Sequence, residues 1–135
     1  MAFYSHRTIR LGDTDATGVL YFTHQLRIAL ETFEEFIDQS GLSVSSMIEE
    51  KKILLPIVHV ESDFLLPLKV GDLIDISLII NNIGMSSFTC SSRFKRNDQM
   101  TGTTSIVHVF CSAEKNRPQP IPDAYKKILQ TLNED

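Results

Sequence analysis

Residues 19–41 read VLYFTHQLRIALETFEEFIDQSG, and the fold turns on them. Phe22, Leu26, Ala29 with Leu30, Phe33, and Phe36 with Ile37 recur every three or four residues. That is the helical period, because a helix brings positions three and four apart onto one side. Gln25, Arg27, Glu31, Glu34, Glu35 and Asp38 fill the remaining positions. Gly41 suits the exit, since glycine enters the left-handed region without a Cβ clash. A long helix with one apolar side needs a flat apolar partner.

The flanking segments supply one. Upstream, residues 3–10 predict a short strand and residues 11–18 (LGDTDATG) a loop. Downstream, residues 43–52 predict a short helix, and from Lys52 onward the pattern becomes that of strands. Residues 53–66 are apolar and β-branched, interrupted by Pro56. Residues 73–80 place Ile74, Ile76, Leu78 and Ile80 on one face. Residues 85–96 set Phe88, Cys90, Ser92 and Phe94 opposite Thr89, Ser91 and Arg93, and residues 101–112 form the last strand. Gly71-Asp72, Asn81 to Gly84 and Asn97-Asp98 carry turn chemistry between these runs. Three prolines in Asn116–Pro122 end the sheet, and a helix from Asp123 to about Leu132 closes the chain. Consecutive strands on short links pair antiparallel, so the architecture is α+β: one long helix against a five-stranded antiparallel sheet. One helix cannot cover both faces of such a sheet, and the uncovered face and edges predict an oligomer.

With 135 residues the chain makes a single domain spanning 1–135, against roughly 150 residues per domain. Its 13 basic and 17 acidic side chains leave a net charge of -4, which excludes a general nucleic-acid binder. No apolar run approaches the ~20 residues of a membrane span, and MAFYSHRTIR lacks the apolar core of a signal peptide. A soluble, cytoplasmic protein is expected, with Cys90 and Cys111 as free thiols. His6, His24, His59 and His108 form no metal-ligand pair, and no phosphate-binding glycine motif or nucleophile elbow appears. Neither metal nor cofactor is expected.

The loop before the helix holds the chemistry. Asp13 and Asp15 act equally well as plain helix caps, because anions favour the positive N-terminus. The same physics permits catalysis. Unpaired amides at a helix N-terminus hold a developing oxyanion, and a carboxylate beside them attacks a carbonyl or activates water. Gly18 lets the chain turn sharply and adds no bulk near a reacting carbon. This reading requires the Asp15 oxygen to sit by the helix tip with a cavity at hand, not in open solvent. A non-catalytic acyl-binding module is the alternative from another class.

The stretch RLGDTDATGVLYFTHQLRIALETFEEF (Arg10–Phe36) resembles the first strand, catalytic loop and central helix of the hotdog-fold acyl-CoA thioesterases of the 4-hydroxybenzoyl-CoA thioesterase type. Its DxDxxGxxxF pattern carries the likeness. LPIVHVESDFLLPLKVGDLIDI (Leu55–Ile76) is similar to the next strands, most of all in the branch that hydrolyses 1,4-dihydroxy-2-naphthoyl-CoA in phylloquinone biosynthesis. The likeness spans most of residues 7–112. It implies that Asp15 is the catalytic carboxylate and Gly18 the motif glycine. The Phe22 amide then polarises the thioester carbonyl, Asp13 shapes the loop, and His59 contacts substrate. Phe22, Ile57 and residues near Phe64 are candidates for the acyl pocket. The resemblance also implies dimers joined sheet edge to sheet edge, paired into a homotetramer with active sites at subunit interfaces. 4-Hydroxybenzoyl-CoA and short- or medium-chain acyl-CoA are the alternative substrates. The turn at residues 81–87 carries none of the cations that meet CoA phosphates in some relatives. Arg93, Lys95 and Arg96 are the substitutes, or are merely solvated.

Overall fold

The long amphipathic run forms α1 (Phe22–Gln39), which lies across one face of an antiparallel sheet. The computed structural model describes residues 1–133. Five strands build the sheet: β1 (Phe3–Thr8), β3 (Ile57–Phe64), β4 (Leu73–Asn81), β5 (Ser87–Arg96) and β6 (Gln99–Val109). Their order is β1-β4-β5-β6-β3, with every neighbour antiparallel. Strands β4, β5 and β6 follow one another directly. Asn97 and Asp98 both have positive φ, 52° and 64°, as a two-residue hairpin turn requires. β1 and β3 are left as the sheet edges.

The alternation read from the sequence faces α1. Ile74, Ile76, Leu78, Ile80, Phe88, Cys90, Phe94 and Ile106 are all buried there. Both cysteines are free, Cys90 buried and Cys111 half-buried. α2 (Val44–Lys51) follows α1, and α3 (Asp123–Gln130) buries Tyr125 and Leu129 in the same cluster as Phe110. Among the described residues no helix is long and apolar enough to cross a membrane.

Three features differ from the sequence expectation. The helix begins at Phe22, not Val19, because residues 14–20 fold back on themselves: Thr14 pairs with Leu20, and the Asp15 N–H meets the Val19 carbonyl at 3.0 Å. The buried stripe of α1 is also rotated. It runs Gln25, Ile28, Ala29, Thr32, Phe33, Phe36 and Ile37, while Phe22 is exposed. Lastly, the proline segment does not simply end the sheet. β8 (Arg117–Pro118) joins β2 (Ile53–Leu54) and β7 (Cys111–Ser112) in a second, three-stranded sheet. Pro118 sits on its outer strand, where a missing N–H costs no ladder bond.

Candidate active site

The loop between β1 and α1 is organised around Asp13. Its side chain is 3% exposed and faces two guanidinium groups, Arg7 at 2.6 Å and Arg27 at 3.4 Å. The other carboxylate oxygen accepts the Arg10 N–H at 2.8 Å. The Asp13 carbonyl accepts the Tyr21 N–H at 3.0 Å, which ties the loop to the residue just before α1. Burial on its own raises the pKa of this carboxyl. The Arg10 amide and the Arg7 and Arg27 charges outweigh that and leave it below the ordinary value. Asp13 is therefore a buried structural anion.

Asp15 lies at the tip of the folded-back segment, and its carboxylate is exposed in the single chain. The expectation that this oxygen is kept from open solvent is not met in the single chain, where Asp15 is exposed. Its Oδ1 accepts the Thr17 hydroxyl at 2.6 Å and the Thr17 N–H at 2.8 Å. The Thr17 bonds lower its pKa, so the group is an anion at neutral pH. Its Oδ2 accepts nothing among the described residues. Gly18 closes the turn by donating to the Asp15 carbonyl at 3.1 Å, with φ at +78°. A Cβ built there meets nothing within 4 Å, so Gly18 is demanded by its backbone conformation and not by crowding.

From Gly18 the chain runs through Val19 and Leu20, pinned by the Leu20 N–H to the Leu68 carbonyl at 2.7 Å, straight into α1. Tyr21, the N-cap, gives no side-chain cap bond. Among the described residues the Phe22 N–H has no acceptor. This amide is an open donor at the positive end of an 18-residue helix. Beside it opens a cleft of about 330 Å³ lined by Val19, Leu20, Phe22, Phe64 and Leu65, with Gln25 at its inner wall. That volume falls in the roughly 300–1,000 Å³ range of small-molecule sites.

Gln25 is the residue that pattern reading missed. It is 1% exposed, although its polarity places it among the outward positions. Its Nε2 donates to Ser62 Oγ at 2.9 Å and to the Asp63 carbonyl at 3.0 Å, which ties α1 to β3. The signal was available: Gln25 stands three and four residues before Ile28 and Ala29, in phase with Thr32, Phe33, Phe36 and Ile37.

Of the residues singled out in the sequence, Phe22 and Phe64 line the cleft, and Asp15, Gly18 and Ile57 do not. His59 pairs with Val107 across the strands, one position out of phase with inward-facing Ile106, and so projects from the sheet face opposite α1. There it meets Glu61 at 3.1 Å. The structure does not bring His59 to the cleft. A register irregularity between Ile57 and His59 accounts for part of this, since it resets which side chains point inward. Arg93, opposite Thr103 and Ser77, shares that outer face. Arg96 instead braces the cleft wall, donating to the Pro67 carbonyl at 3.1 Å and to Asp72 at 2.8 Å.

A helix lying on this strand order, with a carboxylate loop feeding its open N-terminus, defines a hotdog domain of the acyl-thioester-processing kind. The chain belongs to the thioesterase-like superfamily, whose family model matches residues 9–129. Among curated proteins it is 34% identical to the 1,4-dihydroxy-2-naphthoyl-CoA hydrolase of Nostoc punctiforme, over 100% of this chain and 91% of that one. It is likewise 34% identical to the hydrolase of the same name from Synechococcus elongatus, over 96% of this chain and 97% of that one. The solved structure of a 1,4-dihydroxy-2-naphthoyl-CoA thioesterase from Synechocystis superposes with a TM-score of 0.92 at 26% identity, covering 100% of both chains.

Proposed function

We propose that this chain hydrolyses the thioester of 1,4-dihydroxy-2-naphthoyl-CoA to 1,4-dihydroxy-2-naphthoate and CoA, a step of phylloquinone biosynthesis. One observation carries the reading. An anionic carboxylate with a free oxygen, Asp15, stands on the short segment that leads into an uncapped helix N-terminus, and a mostly apolar cleft opens at that terminus. Names of the relatives support the choice of acyl group.

A thioester carbonyl is weakly resonance-stabilised and its leaving group is a thiolate. The site therefore needs a polariser and a nucleophile more than an acid. The Phe22 N–H holds the carbonyl oxygen as charge develops on it. Asp15 then adds to the carbonyl carbon, expelling the CoA thiolate and leaving a mixed anhydride that water opens. On the other route Asp15 takes a proton from water as that water adds, and the C–S bond breaks in the same collapse. Both routes consume one water and return one carboxylate and one CoA thiol. Oxygen-18 from water entering the Asp15 side chain in a single turnover marks the anhydride route.

The exposure of Asp15 fits a site completed by a second subunit. β3 is a free edge with Val58, Val60 and Phe64 exposed, and Leu65 just beyond it is exposed too. Pairing two such edges buries this patch and continues the ladder. A homotetramer built from such dimers is the proposed assembly.

The test is thiol release from naphthoyl, 4-hydroxybenzoyl and aliphatic CoA thioesters by the wild type and by Asp15→Asn. Hydrolysis of the dihydroxynaphthoyl thioester is expected to dominate and to fall at least 100-fold in Asp15→Asn, on the order of losing one oxyanion donor. Near-normal turnover in Asp15→Asn overturns the role given to Asp15. A preference for benzoyl or aliphatic thioesters overturns the acyl assignment. Binding without thiol release makes the chain a non-catalytic module.

A further inference from the structure

Gln25 has a role that holding α1 to β3 does not exhaust. It is the lone polar side chain among the nine residues that line the cleft. Its two ends face different tasks. The Nε2 end is committed to Ser62 Oγ, the Asp63 carbonyl and, at 3.4 Å, the Thr103 carbonyl. The two carbonyls around that atom can only accept, and they fix which end of the amide is which. The Oε1 end accepts no hydrogen bond among the described residues. An amide oxygen with no donor from the protein is left for a ligand donor.

The chain also keeps room for this side chain. Gly102, across from Phe64 on β6, has none of its own. A Cβ there would run into Gln25 Oε1 first, and would stand 2.9 Å from Gln25 Cδ and 2.9 Å from the Asp63 carbonyl. Glycine at this point leaves the space that Oε1 occupies over β6, while Nε2 is held by two strands.

We infer that Gln25 Oε1 is a specificity determinant, accepting a hydrogen bond from an acyl-group hydroxyl remote from the thioester. This rests on the reading of the chain as an aryl-CoA thioesterase. In the proposed substrate the 1-hydroxyl stands beside the carbonyl and bonds to it internally. The 4-hydroxyl is remote and free, and it is a donor, as Oε1 requires. An apolar cleft alone discriminates weakly against a missing hydroxyl. A site built to bond one discriminates by leaving its own partner unpaired.

The experiment compares kcat/KM for 1,4-dihydroxy-2-naphthoyl-CoA and 1-hydroxy-2-naphthoyl-CoA, which lacks only the remote hydroxyl. The wild type is expected to prefer the dihydroxy thioester by about tenfold or more. Gln25→Met keeps the length of the side chain and removes the acceptor, and is expected to bring the two thioesters within about threefold of each other. Equal kcat/KM for both in the wild type overturns the inference while leaving the thioesterase reading intact. A preference that survives in Gln25→Met overturns it too, since another group then recognises the hydroxyl. Absence of thiol release from either thioester is a failure of the underlying activity, and the inference falls with it. The wild-type comparison needs no variant to fold.

Discussion

His108 makes acid a selective threat to this fold. It sits on β6 at 2% exposure, stacked between Phe33 at 5.1 Å and Phe88 at 5.2 Å between ring centroids. Neither ring nitrogen has a hydrogen-bond partner among the described residues. Burial lowers its pKa from 6.5 to about 4, with the Leu55 backbone, close by but outside hydrogen-bond geometry, offsetting part of the shift. The native state thus keeps this ring neutral while the unfolded chain protonates it. Between pH 6.5 and about 4 the unfolded state binds more protons, so stability falls as pH falls through that window. At pH 5 the unfolded ring is almost wholly charged and the native one is not, a difference of about 2 kcal/mol by linkage. At roughly 2.1 cal/mol/K of unfolding entropy per residue, that lowers Tm by about 7 °C. His108→Phe preserves the ring shape and removes the titration. Thermal and urea unfolding at pH 7 and pH 5 is expected to show the wild type losing about 2 kcal/mol more than His108→Phe. Equal losses in the two proteins would refute the reasoning, as would a native His108 resonance that titrates with an ordinary midpoint.

Further outcomes are expected around the loop. Asp13→Asn removes the partner of two guanidinium groups and should cost about 3 kcal/mol in urea unfolding at pH 7, as breaking a buried ion pair does. The Asp13 carboxyl is depressed, so its contribution is present above 3.8 and lost as pH falls through the lower native value; the wild type and Asp13→Asn should converge in strong acid. Gly18→Ala adds a Cβ that touches nothing, yet should cost roughly 1–2 kcal/mol because alanine resists φ at +78°. A neutral effect in calorimetry would show that the turn relaxes. Thr17→Val removes the hydroxyl donor to Asp15 and leaves the backbone one, which loosens the carboxylate; kcat should fall about tenfold with Tm unchanged, and an unaltered kcat would count against a positioned Asp15.

What could be read from the chain alone was whatever depends on neighbours in sequence. The period of residues 22–37 announces a helix wherever it packs, and the two-residue alternation of residues 73–96 announces strands, because both repeats come from backbone geometry. The Asn97-Asp98 turn needs only its own two residues to adopt positive φ. The DxDxxG loop was visible as a motif, and Asp13 as its structural member.

Tertiary packing decided the rest. Side-chain polarity put Gln25 on the outside of the helix, but the sheet offers its Nε2 a hydroxyl and two carbonyls, and an amide nitrogen so satisfied is at home in a core. His59 lies on the strand that reaches the cleft, yet the shifted register sends it to the other face, because one extra residue in a strand reverses the facing of those beyond it. The exposure of Asp15 was not legible either, because the enclosure of a loop tip is set by whatever packs over it and not by its own residues. Helix and strand identity follow from short-range sterics. Phase, facing and enclosure follow from partners distant in sequence, and they settle only when the layers close.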